Sequence, residues 1–284
     1  MAVIMDGESL ARSIKKDIAT RVSELGEKGI VPALATILVG EKTFSKTYVR
    51  LKERDCKEVG IHFKTHELPE KTSEREVFDL IDALNRDKKV HGILVQMPLP
   101  PHLSGTKVVE RISPKKDVDG LHPLNVGKLW LGACDFENDL LPCTPKGVMK
   151  LLDHYDVELA GKNVVIINRS NLVGKPLSKL MLDRNATVTL CHSKTVGLEK
   201  HTRMADVLVT AIGCRPKFLV TEDMVKDQAV VVDVGINCVD DKICGDIDFE
   251  KVKKKASKIT PVPGGVGPMT RAMLLQNILI AARE

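Results

Sequence analysis

The sequence predicts an α/β protein of two domains with mainly parallel sheets. Three observations carry that expectation. Short β-branched apolar runs alternate with amphipathic helical stretches along the whole chain. The chain has 284 residues, whereas single cores stop growing at roughly 250–300. Hydrophobic residues reach 43% while aromatics are only 3%, so the core must be built from Val, Ile, Leu and Ala, which suit buried parallel strands and their covering helices.

Along the first half, Leu10, Ile14, Ile18, Val22 and Leu25 recur at three- and four-residue steps and predict a helix over 6–28. The run 33–39 is short, apolar and closed by Gly40, which reads as a buried strand. A second helix is expected over 45–59, ending at Gly60, and a third from the capping box Ser73-x-x-Glu76 to about residue 88. The next strand, 90–96, is stopped by Pro98-Leu99-Pro100-Pro101. Helix, strand, helix, helix, strand implies a parallel layer.

After a connection over 117–142, Thr144 is expected to cap a helix with Pro145 at its first position, running to about residue 155. Strands follow at 163–167, 187–191, 207–212, 229–234 and 258–260, with helices at 175–183, 221–226 and 249–256, the pattern of a doubly wound sheet. The expected domains are 1–143, with a terminal helix 269–284 packing back on it, and 144–268.

Lys and Arg number 43 against 38 Asp and Glu, a net charge of +5. This mild excess favours anionic small molecules over nucleic acid, and so few aromatics give no platform for stacking bases. Lys251, Lys253, Lys254 and Lys255 read as a solvated helix face. Residues 1–10 hold no basic segment followed by an apolar stretch, and no run approaches the ~18 apolar residues of a membrane span. The expectation is a cytoplasmic protein without membrane association. Seven cysteines, at 56, 134, 143, 191, 214, 238 and 244, form no C-x-x-C, which fits reduced thiols and no metal site. His62 and His66, with no Glu after His62, read as surface histidines.

A dinucleotide pyrophosphate can sit on backbone N–H groups where the first strand of a doubly wound domain meets its helix. That junction here is Asn168-Arg169-Ser170-Asn171-Leu172-Val173-Gly174, with Asn168 and Ser170 where the first two glycines of G-x-G-x-x-G would stand. Asn tolerates left-handed backbone, so the turn is expected to survive. Alone, this match does not separate a nucleotide site from a plain strand-turn-helix joint. The following strand ends in Cys191-His192-Ser193-Lys194, without the acidic residue that holds an NAD ribose. Ser193, Lys194 and the Arg169 guanidinium suit a 2′-phosphate instead, which favours NADP, although exposed loop residues would look the same.

In the second helix, Tyr48 and Lys52 stand at i, i+4, which places a phenol and an amine on one face. Such pairs are also common on solvated faces without any chemical role. Short-chain dehydrogenases carry Tyr-x-x-x-Lys too, but after an N-terminal nucleotide turn, whereas here the pair precedes it.

Taken together, several segments resemble the bifunctional methylenetetrahydrofolate dehydrogenase/cyclohydrolase family: Tyr48-x-x-x-Lys52, Gly92-Ile93-Leu94-Val95-Gln96-Met97-Pro98-Leu99-Pro100, Lys116-Asp117-Val118-Asp119-Gly120, Pro142-Cys143-Thr144-Pro145, Ser170 to Pro176, Asp233-Val234-Gly235-Ile236-Asn237, and Thr260 through Gly264-Gly265 to Thr270. The resemblance covers essentially the whole chain in order. It implies an N-terminal α/β catalytic domain and a C-terminal Rossmann-like NAD(P)-binding domain. It also implies NADP⁺-dependent oxidation of 5,10-methylenetetrahydrofolate and hydrolysis of the methenyl product to 10-formyltetrahydrofolate. By resemblance, Lys52 is the catalytic centre, Tyr48 stacks on the folate and tunes the amine, and Gln96 and Asp119 bind the pterin. Read without the resemblance, Gln96 is a strand-end cap and Asp119 a turn residue. Asn168, Arg169, Ser170, Val173, Gly174, Ser193 and Ile236 are the implied cofactor residues. Gly264, Gly265, Pro268 and Thr270 are the implied lining of the folate cleft between the domains; bare backbone in the glycine loop lets a ligand come close. Tetrahydrofolate derivatives are the implied ligands and a homodimer the implied assembly. A monofunctional dehydrogenase would differ by accumulating methenyl product, and a non-catalytic nucleotide-binding protein by showing no turnover.

Overall fold

The computed structural model describes residues 2–40, 43–240 and 242–283, and no side chain of 43–45. Met1, Glu284 and the Ser45 side chain, which the expected elements include, lie outside the described residues. In chain order the elements are β1 (Val3–Ile4), α1 (Gly7–Glu27), β2 (Ala33–Val39), α2 (Thr43–Glu58), β3 (His62–Leu68), α3 (Glu74–Arg86), β4 (Gly92–Val95), α4 (Gly105–Arg111), α5 (Pro123–Leu131) and α6 (Cys143–His154). There follow β5 (Asn163–Ile167), α7 (Gly174–Leu182), β6 (Thr187–Cys191), α8 (Leu198–Thr202), β7 (Val207–Thr210), β8 (Val230–Asp233), β9 (Asn237–Val239), β10 (Lys242–Cys244), α9 (Phe249–Val252), β11 (Lys258–Ile259) and α10 (Val266–Ala281).

The chain forms two compact units, one of Ser13–Cys143 with Arg271–Glu284 and the other of Met1–Arg12 with Thr144–Thr270. In the first, β2 is the centre of a parallel sheet of order β3-β2-β4. Every residue of β2 is buried, as a strand covered on both faces must be. Its side chains Ala35, Ile37 and Val39 pack with Val77, Ile81 and Leu84 of α3 and Val108 of α4. The spacing of 77, 81 and 84 gives α3 its apolar stripe, and burying each such side chain contributes about 2 kcal/mol. The Ser73–Glu76 capping box is present in full: Ser73 Oγ accepts from the Glu76 N–H, and the Glu76 carboxylate accepts from the Ser73 N–H at 2.8 Å.

The second unit holds a parallel six-stranded sheet of order β1-β11-β8-β7-β5-β6, with the reversal beside β5 that a doubly wound topology requires. Val165, Ile167, Leu208, Val231 and Ile259 line one core face, closed by Val220, Met224, Val225 and Val252.

Several expectations change. The third strand, β3, falls on the segment read as surface histidines; His62 is exposed, but His66 is half-buried within the sheet. The α5 helix occupies the segment read as connection, and α4, α8 and the β9–β10 hairpin were not anticipated. The helix expected at 221–226 is a single 3₁₀ turn, 222–224. The α6 helix opens at Cys143, so Thr144 is inside its first turn and not its cap. The first twelve residues, expected with the N-terminal domain, group with 144–270, because β1 pairs in parallel with β11. Among the described residues no helix is long and apolar enough to cross a membrane.

Candidate functional site

The Tyr48 and Lys52 pair leads to the chemistry of the first unit. Lys52 Nζ donates to Gln96 Oε1 at 2.9 Å, and Gln96 Nε2 donates to the Met97 carbonyl at 2.7 Å. Gln96 is the first residue beyond β4, at the carboxyl end of a parallel strand, where open α/β sheets place their ligands. Its amide is therefore oriented at both ends, one by the Lys52 amine and one by the Met97 carbonyl. Burial lowers the Lys52 amine from its ordinary value, since an ammonium without water is costly; the Asp119 carboxylate opposes this. The same burial raises Asp119, and Lys52 and the Cys143 thiol draw it back down. Tyr48 is raised by burial and lowered by the Arg271 guanidinium. Thus an amine and a carboxyl group influence each other in a half-buried setting, an arrangement suited to moving a proton.

The segment carrying Asp119 is held from below. Asp117 is buried and accepts from the His122 N–H at 2.8 Å and from Asn125 Nδ2 at 2.9 Å. Asn277 donates to the carbonyls of Val118 and Leu141, both at 2.8 Å, and Cys143 Sγ donates to the Val118 carbonyl at 3.3 Å. Gly120 has φ +69°, and a Cβ there would drive into the backbone of Leu141 and Pro142. Asn277 and Asp117 were missed as supports because nothing local marks a buried polar side chain whose partners are remote in sequence. Cys143 lay inside a quoted motif but received no role.

In the other unit the turn after β5 is organised by Asn168. Its Oδ1 accepts from the N–H groups of Ser170 at 2.7 Å and Gly174 at 3.0 Å, while its Nδ2 donates to the Ala211 carbonyl at 2.5 Å. Asn168 is not among the residues with positive φ, so it keeps the turn through its side chain and not through left-handed backbone. Ser170 Oγ accepts from the Val173 N–H at 3.1 Å. Gly174 is needed at the head of α7, because a Cβ there would collide with the carbonyl of Asn168.

Ile167 pairs with Cys191 across β5 and β6, so Arg169 and Ser193, each two residues further on, stand on adjacent loops. Arg169, Ser193 and Lys194 are all exposed. Gly213, after β7, has φ +64°, and a Cβ there would press on the Ile236 carbonyl at 3.3 Å. Two buried aspartates fix this rim. Asp246 accepts from Thr210 Oγ1, the N–H groups of Ile212 and Gly213, and Asn237 Nδ2. Asp233 accepts from the N–H groups of Gly235, Asp246 and Ile247. A bare-backbone cradle beside exposed cations and a hydroxyl fits a phosphorylated dinucleotide.

In the glycine loop the Gly264 carbonyl accepts from the Glu8 N–H at 2.9 Å, a Cβ on Gly7 would strike the Gly265 carbonyl, and a Cβ on Gly265 would strike the Pro261 carbonyl, so bare backbone at 7 and 265 lets these segments of the unit pack. Pro268 is buried in the first turn of α10. Thr270 Oγ1 donates to the Val266 carbonyl at 3.2 Å and lies 3.1 Å from Thr144 Oγ1.

Comparison with known proteins agrees with this geometry. The family profile described as tetrahydrofolate dehydrogenase/cyclohydrolase, catalytic domain, matches residues 5–119, and that described as its NAD(P)-binding domain matches 142–284. The bifunctional protein FolD of Halalkalibacterium halodurans is 52% identical over 283 residues, covering 100% of this chain and 99% of that protein. The crystal structure of the FolD methylenetetrahydrofolate dehydrogenase/cyclohydrolase from Campylobacter jejuni superposes with a TM-score of 0.96 at 49% identity, covering 100% of this chain and 99% of the other. That of the Trypanosoma brucei dehydrogenase-cyclohydrolase, complexed with NADP cofactor and an inhibitor, superposes with a TM-score of 0.94 at 37% identity, covering 99% and 97%. With both domain profiles matched and identity near one half over the full chain, this protein belongs to the tetrahydrofolate dehydrogenase/cyclohydrolase family.

Proposed function

We propose that the chain oxidises 5,10-methylenetetrahydrofolate to the 5,10-methenyl cation with NADP⁺ and hydrolyses that cation to 10-formyltetrahydrofolate, with Lys52 as the hydrolytic centre. The observation that carries the roles is the Lys52 amine, held by Gln96 and lowered from its ordinary value by burial. NADP⁺, when bound, accepts the hydride. Loss of hydride from a carbon between two nitrogens leaves a delocalised cation, so the protein's part in that step is positioning. In the second step water adds to the cationic carbon and loses a proton. A neutral Lys52 amine accepts it through its lone pair, while Gln96 Oε1 fixes one of its N–H bonds. The ammonium so formed is favoured by Asp119 and returns its proton to the folate nitrogen as the C–N bond breaks, while the carbinol hydroxyl releases its proton to solvent and becomes the formyl carbonyl. The adjacent cationic substrate further opposes an ammonium at Lys52 before water adds. Tyr48 is assigned to the pterin face, and Gln96 and Asp119 to its hydrogen-bonding edge.

For the cofactor, Arg169, Ser193 and Lys194 are assigned to the 2′-phosphate, the Ser170 to Gly174 turn to the pyrophosphate, and Ile236 to the nicotinamide. Asn168 is assigned to shaping this turn. Gly264, Gly265, Pro268 and Thr270 remain assigned to the folate side, on family grounds. The same grounds give a homodimer and a cytoplasmic location, which light scattering and cell fractionation would check.

An absorbance assay with methylenetetrahydrofolate and NADP⁺ or NAD⁺ supplied separately tests the reading. It predicts methenyl product that forms faster with NADP⁺ and then decays. Methenyl product that accumulates without catalysed decay would leave a monofunctional dehydrogenase, and no turnover with either cofactor would overturn the proposal.

A further inference from the structure

The α2 helix carries a third polar residue on its reactive face. Tyr48, Lys52 and Asp55 fall at i, i+4 and i+7, which aligns them along one stripe. Asp55 is 1% exposed, and a buried carboxylate needs partners. It has two strong ones from different helices: Arg271 of α10 donates from Nε at 2.6 Å, and Lys15 of α1 donates from Nζ at 3.3 Å. Lys15 is shared with Glu58 at 2.5 Å, and Arg54, on α2 itself, approaches Asp55 at 3.6 Å. The Arg271 side chain is only 17% exposed, so this ion pair is shielded from the solvent that would weaken it. The guanidinium has one edge on Asp55, and its charge draws the Tyr48 phenol towards ionisation against the effect of burial.

We propose that Asp55 and Arg271 are a positioning pair for the reaction assigned above. The Asp55 carboxylate fixes the Arg271 guanidinium, clamping the Tyr48–Lys52 stripe of α2 to α10 and holding in place the guanidinium charge that acts on the Tyr48 phenol. This rests on the assignment of Tyr48 to the folate site. The groups facing the pair are Lys15 from α1, Arg54 and Glu58 from α2, and Arg271 itself from α10.

The chain contains only two tyrosines, Tyr48 and Tyr155. Tyr155 caps the Asp6 N–H, so a Tyr155→Phe host leaves Tyr48 as the sole phenol and its tyrosinate absorbance can be titrated in the free enzyme. In that host, Arg271→Met is expected to move the midpoint to higher pH. The double variant Asp55→Leu with Arg271→Met, which leaves no buried charge unpaired, is expected to do the same, and Arg271→Lys to hold it near the parent value. Hydrolysis kcat is expected to fall roughly tenfold in Arg271→Met, the size of one lost charged hydrogen bond, with little further loss when Tyr48→Phe is already present. An unmoved midpoint in the folded variants overturns the pair, as does an equal kcat loss with and without Tyr48. The titration involves no folate, so it judges the pair alone, whereas undiminished hydrolysis in Tyr48→Phe by itself would overturn the role assigned to Tyr48.

Discussion

Lys52, on α2, and Arg169, on the turn after β5, are both basic side chains, yet their surroundings are opposite. The Lys52 amine is half-buried, donates to Gln96 and answers to Asp119. Arg169 is exposed, on a turn whose internal hydrogen bonds are made by Asn168 and Ser170. On the α2 face, burial lowers the amine from its ordinary value. In the turn after β5, the side chains tie the loop to itself and leave cationic groups accessible for a ligand. One region tunes a pKa; the other presents a surface. Variants should therefore separate them, with losses of hydrolysis in one and losses of cofactor preference or stability in the other.

The largest separation is expected from Lys52→Met. Hydrolysis of the methenyl cation should fall by at least about a hundredfold, the scale of a lost general base, while NADP⁺ binding stays unchanged by titration calorimetry. Next is Arg169→Ala with Ser193→Asp. The ratio of kcat/KM for NADP⁺ over NAD⁺ should fall roughly tenfold or more, since charge-assisted phosphate contacts are lost and a like charge is added. An unaltered ratio would remove these residues from the 2′-phosphate.

Asn168→Ala sharpens the comparison from the structural side. It deletes three hydrogen bonds that tie the turn to α7 and to the loop after β7, and should destabilise the protein by about 2 kcal/mol in denaturant unfolding while leaving methenyl hydrolysis intact. The smallest effect is a shift in pH dependence. Hydrolysis should fail at low pH as the Lys52 amine takes up a proton. Asp119 raises that amine, so Asp119→Asn should lower it further and move the acid limb of kcat to lower pH. A limb that moves upward would contradict the assignment of Asp119.

The two regions were also unequally legible in the sequence. The i, i+4 spacing placed Tyr48 and Lys52 on one helical face, and α2 keeps them there. What spacing could not supply is the burial that lowers the amine, or the opposing groups at 119 and 143, which are remote in sequence. Asn168 was the converse case. It looked like a replaced glycine, yet the strut it forms runs to Ala211, a partner 43 residues away that no local pattern reveals. Nor does any local pattern reveal that the loop at 264–265 packs on the backbone at the start of α1. β2, buried along its whole length, was found to the residue because a continuous apolar run has few alternatives. β3 was missed because it is an edge strand of alternating exposure, with two histidines, a lysine and a glutamate in seven residues. The same limit hid α5: its His122 cap and Pro123 start lie between glycines that read as an open connection.

The ionisation of Lys52 itself is the most direct test of these assignments. Lysines labelled at the ε-carbon, compared between the parent enzyme and Lys52→Met, would identify its resonance and follow it through a pH titration. The account predicts a midpoint below the ordinary lysine value that coincides with the acid limb of methenyl hydrolysis. An ordinary midpoint, or a depressed one unrelated to that limb, would contradict it.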